Sequence, residues 1–204
     1  MASKAAEATA QKEIKTDLVI RVGHSPDPDD AFMFYGLSSG RVKLDGIKIE
    51  HLLEDIQSLN VRAMKGELEV TAVSAHAYAS IADRYWIMAT GASMGEGYGP
   101  VLVSKRYTSL EELKGKKIAT PGKLTTATLL FKIFCEGMSN TDIPFDQIMH
   151  RVADGEFDAG LLIQKLFKIA DDGVPGLQIY SGQLLLIKIN AVGEHIAHQI
   201  LNAV

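Results

Sequence analysis

The scarcities of this sequence set its first bounds. A single cysteine, Cys135, excludes an intramolecular disulfide, and its place in the apolar run Leu129-Leu130-Phe131-Lys132-Ile133-Phe134-Cys135 assigns it to the interior as a structural thiol. No apolar stretch approaches the roughly 20 residues that cross a bilayer, so no membrane partner is expected. Basic charge forms no stripe: 21 Lys and Arg lie scattered among 25 Asp and Glu, for a formal charge of -4, which argues against a nucleic-acid partner. Residues 1–16 hold Ala, Lys and Glu in place of the continuous apolar core of a secretory signal; a flexible, solvated tail and a cytoplasmic protein are expected. Nucleophile motifs, phosphate-binding loops and zinc spacings are all missing. The six histidines, at 24, 51, 76, 150, 195 and 198, are dispersed. His195 and His198 have no evident third ligand near them, so neither a metal nor another cofactor is expected.

What is present is an ordinary globular composition, 47% apolar and 23% charged over 204 residues. At about 150 residues per domain this is one large domain or two small lobes. From residue 17 short β-rich runs alternate with helical patterns, the signature of an α/β fold with mainly parallel strands. Strands are expected at 18–22, 47–53, 70–74, 101–104 and 117–120. Helices are expected from about Asp29, with Ala31, Phe32, Phe34 and Tyr35 as the apolar face, at 55–64, at 75–82, around 110–113, from about Thr125, and at 144–152. The glycine-rich segment 91–100 is read as a lobe boundary. It divides the chain into a first lobe over 17–100, completed in part by 184–204, and a second over 101–183. An internal echo supports two related lobes: Met64-Lys65-Gly66-Glu67-Leu68-Glu69-Val70 and Ala153-Asp154-Gly155-Glu156-Phe157-Asp158-Ala159 lie 89 residues apart, each a helix end, a Gly-Glu turn and a buried strand.

Three places put small polar groups where a strand gives way to a helix, positions where free N–H groups and the helix dipole favour anions. The first is Gly23-His24-Ser25-Pro26-Asp27-Pro28-Asp29-Asp30. Its Ser, Asp and Pro are also ordinary capping residues, its three carboxylates repel anions, and its spacing is not that of a calcium loop. The second is Ser74, whose hydroxyl is also placed to cap the helix at Ala75. The third, Thr120-Pro121-Gly122-Lys123-Leu124-Thr125-Thr126-Ala127, is the best ligand loop on physical grounds. One threonine suffices as a cap, which leaves the second hydroxyl and the Pro-Gly pair free for another role.

The run Val22-Gly23-His24-Ser25-Pro26-Asp27-Pro28-Asp29-Asp30-Ala31-Phe32-Met33-Phe34-Tyr35 resembles the opening of the 1,4-dihydroxy-6-naphthoate synthases of menaquinone biosynthesis (the futalosine pathway), which share a periplasmic-binding-protein-like fold. Further matches follow in order: Glu54-Asp55-Ile56-Gln57-Ser58-Leu59-Asn60, Val70-Thr71-Ala72-Val73-Ser74, Gly97-Tyr98-Gly99-Pro100, Thr120-Pro121-Gly122, Thr125-Thr126-Ala127 and Gly155-Glu156-Phe157-Asp158-Ala159-Gly160-Leu161-Leu162-Ile163. The chorismate dehydratases of the same pathway fit the first motif less well. The resemblance implies a two-lobe α/β architecture of type II with a ligand cleft, and a lyase that cleaves cyclic dehypoxanthine futalosine to 1,4-dihydroxy-6-naphthoate without a cofactor. It also implies a small-molecule carboxylate as partner, with Ala72, Val73 and Ser74 lining it on one lobe and Thr126 and Ala127 on the other; Thr125 and Ser25 are candidates beside them.

The chain departs from the family pattern just after Ile163. Family members carry a histidine there as catalytic base, usually followed by Glu; this sequence has Gln164 and Lys165. The later run Gly182-Gln183-Leu184-Leu185-Leu186-Ile187-Lys188-Ile189-Asn190-Ala191-Val192 resembles the family's return strand to the first lobe, while the tryptophan-containing segment before it and the last helices have no counterpart. Two expectations from different classes stand side by side: a lyase impaired at Gln164, or a non-catalytic protein that binds a small carboxylate. An abbreviated C-terminal part is expected to expose apolar surface and to favour a homodimer.

Overall fold

The computed structural model describes residues 18–94, 99–163 and 182–188. The tail expected over 1–16, Gln164 and Lys165, and the His195/His198 pair lie outside the described residues.

Two sheets organise the chain. The first takes strands β1 (Leu18–His24), β2 (Ile47–Leu53), β3 (Val70–Ser74), β4 (Tyr85–Ile87), β5 (Ser93–Met94) and β10 (Gly182–Lys188). The second takes β6 (Val101–Val103), β7 (Ile118–Thr120), β8 (Asn140–Asp142) and β9 (Ala159–Leu162). In the first the order is β2-β1-β3-β10-β4, with β5 on β10. Strands β1, β2 and β3 run parallel, while β10 is antiparallel to β3, β4 and β5. The second sheet has the order β6-β9-β7-β8, with β7 parallel to β8 and β9 and with β6 antiparallel to β9. Val70 to Ser74 is buried at every position, as befits a central strand covered on both faces.

The helices are α1 (Pro28–Met33), α2 (Tyr35–Ser38), α3 (Ile56–Lys65), α4 (Ala75–Tyr78), α5 (Thr126–Phe134) and α6 (Phe145–Ala153), with a 3-10 turn at Glu111–Leu113. The side chain of Asp55 caps α3 by accepting from the N–H groups of Gln57 and Ser58. Helix α3 then lays Ile56, Leu59 and Ala63 into the core. The expectation of one apolar face from Ala31 to Tyr35 is corrected. Phe34 is 1% exposed, whereas Phe32 is 86% and Tyr35 51% exposed. The chain leaves helical geometry at Phe34 (φ -93, ψ 5), which splits the element into α1 and α2 and turns that ring inward against His24. The helix expected over 75–82 ends at Tyr78. Strands β4, β5 and β8 were not foreseen: two or three residues are too few to show alternation, β5 lies in the segment read as a lobe boundary, and β8 is Asn-Thr-Asp.

The echo in the sequence is an echo in space. Gly66 and Gly155 both take left-handed backbone, with φ 69 and 81. Each closes its helix through the same pair of bonds, Gly66 N–H to Ala63 C=O with Glu67 N–H to Arg62 C=O, and Gly155 N–H to Val152 C=O with Glu156 N–H to Arg151 C=O. Arg62 pairs with Glu67 at 3.0 Å, and Arg151 pairs with Glu156 at 3.0 Å. Two residues on, Glu69 accepts from the Arg21 N–H at 2.9 Å, and Asp158 accepts from the Lys117 N–H at 3.0 Å. Strand β3 therefore meets β1 in the register in which β9 meets β7, Val70 beside Val22 and Ala159 beside Ile118. One supersecondary unit is used twice, and the carboxyl ends of its parallel strands carry the candidate residues.

Candidate functional site

Strand β3 runs into α4 with no intervening loop, so Ser74 occupies the cap position, with φ -68 and ψ 144. Its hydroxyl makes no capping bond. It accepts instead from Asn60 Nδ2 at 3.1 Å, while the Ser74 N–H donates to Asn60 Oδ1 at 2.9 Å. The reading of this hydroxyl as a helix cap is thus corrected: a buried asparagine on α3 reaches it first. Ser74 is 3% exposed, and its O–H donates to no described residue.

The loop after β7 approaches the same place from the second sheet. Gly122 has φ 132, and a Cβ there would run into the side chain of Gln57 on α3; both facts demand glycine. Gln57 Oε1 accepts from the Leu124 N–H at 3.1 Å, and Asn60 Nδ2 donates to the Leu124 C=O at 3.3 Å. The Leu124 side chain packs against the first-sheet cluster of Ala63, Val73, Ala77, Ile81 and Tyr85. Thr125 is the cap of α5, accepting from the Thr128 N–H at 3.2 Å. Thr126 is the second hydroxyl of that pair; it accepts from the His76 N–H at 3.4 Å. His76 Nδ1 lies 3.1 Å from the Thr125 C=O. A carbonyl only accepts, so Nδ1 is the donor in this contact. Thr125→Ala is expected to cost ~1 kcal/mol in an equilibrium unfolding experiment, through loss of the α5 cap.

His76, two residues after Ser74, therefore joins the end of β3 to the start of α5. Ala72 is 4%, Val73 0% and Ala127 2% exposed, with their side chains in the core, so what these three offer a ligand is backbone. Ser25 stands apart in its own turn: its hydroxyl donates to Asp27 Oδ2 at 2.9 Å and its N–H donates to Asp30 Oδ2 at 2.6 Å.

That turn holds the strongest electrostatic perturbation. Asp30 is 1% exposed, and burial pushes its carboxyl up from 3.8 to about 6, against the bond from the Ser25 N–H. The adjacent His24 stacks on Phe34 with centroids 4.3 Å apart, and its Nε2 lies 3.0 Å from His51 Nδ1. Burial lowers the pKa of both imidazoles. The signs are opposite. Between pH 3.8 and about 6 the unfolded chain releases the Asp30 proton that the folded chain retains, so stability falls as pH rises through that window. The histidine pair disfavours protonation in the fold, so its contribution is lost as pH falls below about 6.5. Asp30→Asn is expected to remove the first dependence and gain about 2 kcal/mol at pH 7, read from urea unfolding across pH 4 to 7.

Sequence reading passed over Gln57, Asn60 and His51. The available signal was Asn60, a polar residue inside the apolar stripe of Ile56, Leu59 and Ala63. Among the described residues, no group of three or more His, Cys, Asp or Glu is arranged to hold a metal ion, and no helix is long and apolar enough to cross a membrane.

Two α/β sheets meeting at the carboxyl ends of their parallel strands define a periplasmic-binding-protein-like fold. Solved structures agree. Protein AF1704 from Archaeoglobus fulgidus superposes with a TM-score of 0.79 at 44% identity, over 91% of this chain and 73% of that one. The fold alone is shared with a putative L-cystine ABC transporter from Listeria monocytogenes (TM-score 0.65, 14% identity, 91% and 88% covered). It is shared too with the arginine-bound substrate-binding protein AbpA of Streptococcus pneumoniae (TM-score 0.63, 13% identity, 93% and 89% covered). Residues 20–165 match the family described as menaquinone biosynthesis, and the chain belongs to it. It is 39% identical over 146 residues to the 1,4-dihydroxy-6-naphthoate synthase of Thermus thermophilus, covering 72% of this chain and 53% of that protein. To the enzyme of the same name in Streptomyces coelicolor it is 31% identical over 169 residues, covering 76% and 59%. The chain thus spans little more than half the length of the curated relatives it matches.

Proposed function

We propose that this chain is a cytoplasmic lyase of the futalosine pathway, taking cyclic dehypoxanthine futalosine to 1,4-dihydroxy-6-naphthoate. Two lobes, 17–100 with 184–204 and 101–183, hold the substrate between them. The observation that carries the reading is Ser74: buried, cap-free and donating its proton to no described residue, it lies two residues before His76, whose N–H donates to Thr126 at the start of α5. A hydroxyl donor on one side and the Thr126 and Ala127 N–H groups of a nine-residue helix on the other suit a carboxylate. Closure expels water around that carboxylate and strengthens each bond to it.

Elimination also requires removal of a proton. Gln164, at the position where the family carries its histidine, has no basic lone pair at neutral pH. That residue favours a second reading, a non-catalytic protein that binds a small carboxylate in the same cleft. Incubating the purified protein with cyclic dehypoxanthine futalosine separates the two. Naphthoate release above the uncatalysed rate supports the lyase; saturable binding without product supports the binder; neither binding nor product overturns both. Association into a homodimer belongs to the same proposal. Trp86 and Ile87 on the edge strand β4 are 50% and 48% exposed, and sedimentation equilibrium reads the assembly state directly.

A further inference from the structure

The Asn60 side chain bonds to both halves of the candidate site, Ser74 on one and Leu124 on the other. It is 0% exposed. Its Oδ1 accepts from the Ser74 N–H at 2.9 Å; its Nδ2 donates to Ser74 Oγ at 3.1 Å and to the Leu124 C=O at 3.3 Å. The orientation of the amide is fixed by its partners. Turned over, it would set NH2 against the Ser74 N–H and a carbonyl against the Leu124 carbonyl. Both Nδ2 hydrogens are therefore committed, one to each sheet.

This has a chemical consequence at Ser74. Asn60 occupies a lone pair of Oγ and no described residue accepts the serine proton, so the hydroxyl has the polarity an anionic ligand needs. The second consequence is mechanical. Leu124 is held on its C=O by Asn60 and on its N–H by Gln57, and the next two residues, Thr125 and Thr126, meet His76. The segment that starts α5 is thus fixed to α3 by the same amide that orients the serine.

We infer that Asn60 is a positioning residue that couples the donor orientation of Ser74 to closure of the second sheet on the first. This rests on the carboxylate reading of the site. Asn60 does not touch the ligand; it makes Ser74 a donor only in the arrangement where Leu124 is also held. Loss of the coupling weakens binding more than loss of either contact would alone.

The test is a double-mutant cycle on 1,4-dihydroxy-6-naphthoate binding, measured by calorimetry, with Asn60→Ala and Ser74→Ala. Asn60→Ala is expected to weaken binding about tenfold beside Ser74 and under threefold in the Ser74→Ala background. Equal losses in the two backgrounds overturn the inference. Amide hydrogen exchange without ligand provides an independent arm: Asn60→Ala should speed exchange at Leu124 and Thr126 several-fold, and unchanged exchange contradicts the coupling even when no ligand binds. If wild type does not bind naphthoate, the carboxylate reading fails while the exchange result still decides the closure link. Gln57→Ala covers the case in which Asn60→Ala does not fold. Gln57 is only half-buried and makes no bond to Ser74. Its loss should accelerate exchange at Leu124 and weaken binding about threefold, and no change in either overturns the coupling.

Discussion

Gln164→His is expected to raise the rate of naphthoate release from cyclic dehypoxanthine futalosine by about 10²- to 10⁴-fold, with little change in KM. A general base within reach of the departing proton contributes that range, and a glutamine amide contributes none of it. Strand β9 runs parallel to β7, whose following loop delivers Thr125, Thr126 and Ala127. Ile163, the residue just before the substituted position, packs on the first-sheet cluster of Ile56, Leu59, Leu68 and Ala72 and on the second-sheet cluster around Ile118 and Phe131. Ile163 therefore lies at the junction of the two sheets, which is the ground for testing the position after it. Gln164→Asn is the control and should leave the rate unchanged. A histidine variant that binds substrate but is no faster would remove position 164 from the chemistry. Attention would then shift to His76, which follows Ser74 by two residues and meets Thr125 and Thr126.

The largest expected effect on stability is at Leu59. Leu59→Ala should cost about 2–5 kcal/mol in urea unfolding, because the side chain is 0% exposed and its loss leaves a void between α3 and the first sheet. Gly23 on β1 exists to admit this packing. A Cβ at Gly23 would stand 2.7 Å from Leu59 Cδ2 and 2.6 Å from Leu68 Cδ1, so Gly23→Ala alone should cost about 1–3 kcal/mol by overpacking. The two changes share one volume and should not add. Gly23→Ala is expected to be less costly in the Leu59→Ala background, and strict additivity would contradict this account of α3 packing.

Much of the fold was legible because its elements carry local signals. The alternation in Ile47–Leu53, the helical spacing of Ile56, Leu59 and Ala63 and the Gly66 stop give β2 and α3 almost to the residue, and the Gly-Glu turn repeated at Gly155 exposes the doubled unit. Phe32 and Tyr35 misled because periodicity assumes an unbroken helix, and the break at Phe34 depends on stacking with His24, a tertiary contact. The site was legible where chemistry is written in the chain, as in Thr125-Thr126-Ala127, though which threonine caps α5 and which meets His76 was settled by the fold. Ser74 was only half legible. Its neighbours suggest a cap, and what removes it from that role is Asn60, 14 residues earlier in the sequence and on another element. The Gln57 and Asn60 contacts to Leu124, 67 and 64 residues away, have no sequence signature at all.

The central claim is that the paired carboxyl ends of the two sheets form a carboxylate-binding cleft with Ser74 as a donor. Calorimetric titration of the wild-type protein with cyclic dehypoxanthine futalosine, repeated on Ser74→Ala, tests it most directly. Saturable one-to-one binding to the wild type, weakened about tenfold or more in the variant, is the predicted result. Equal affinity in the two proteins, or no binding to either, would contradict it.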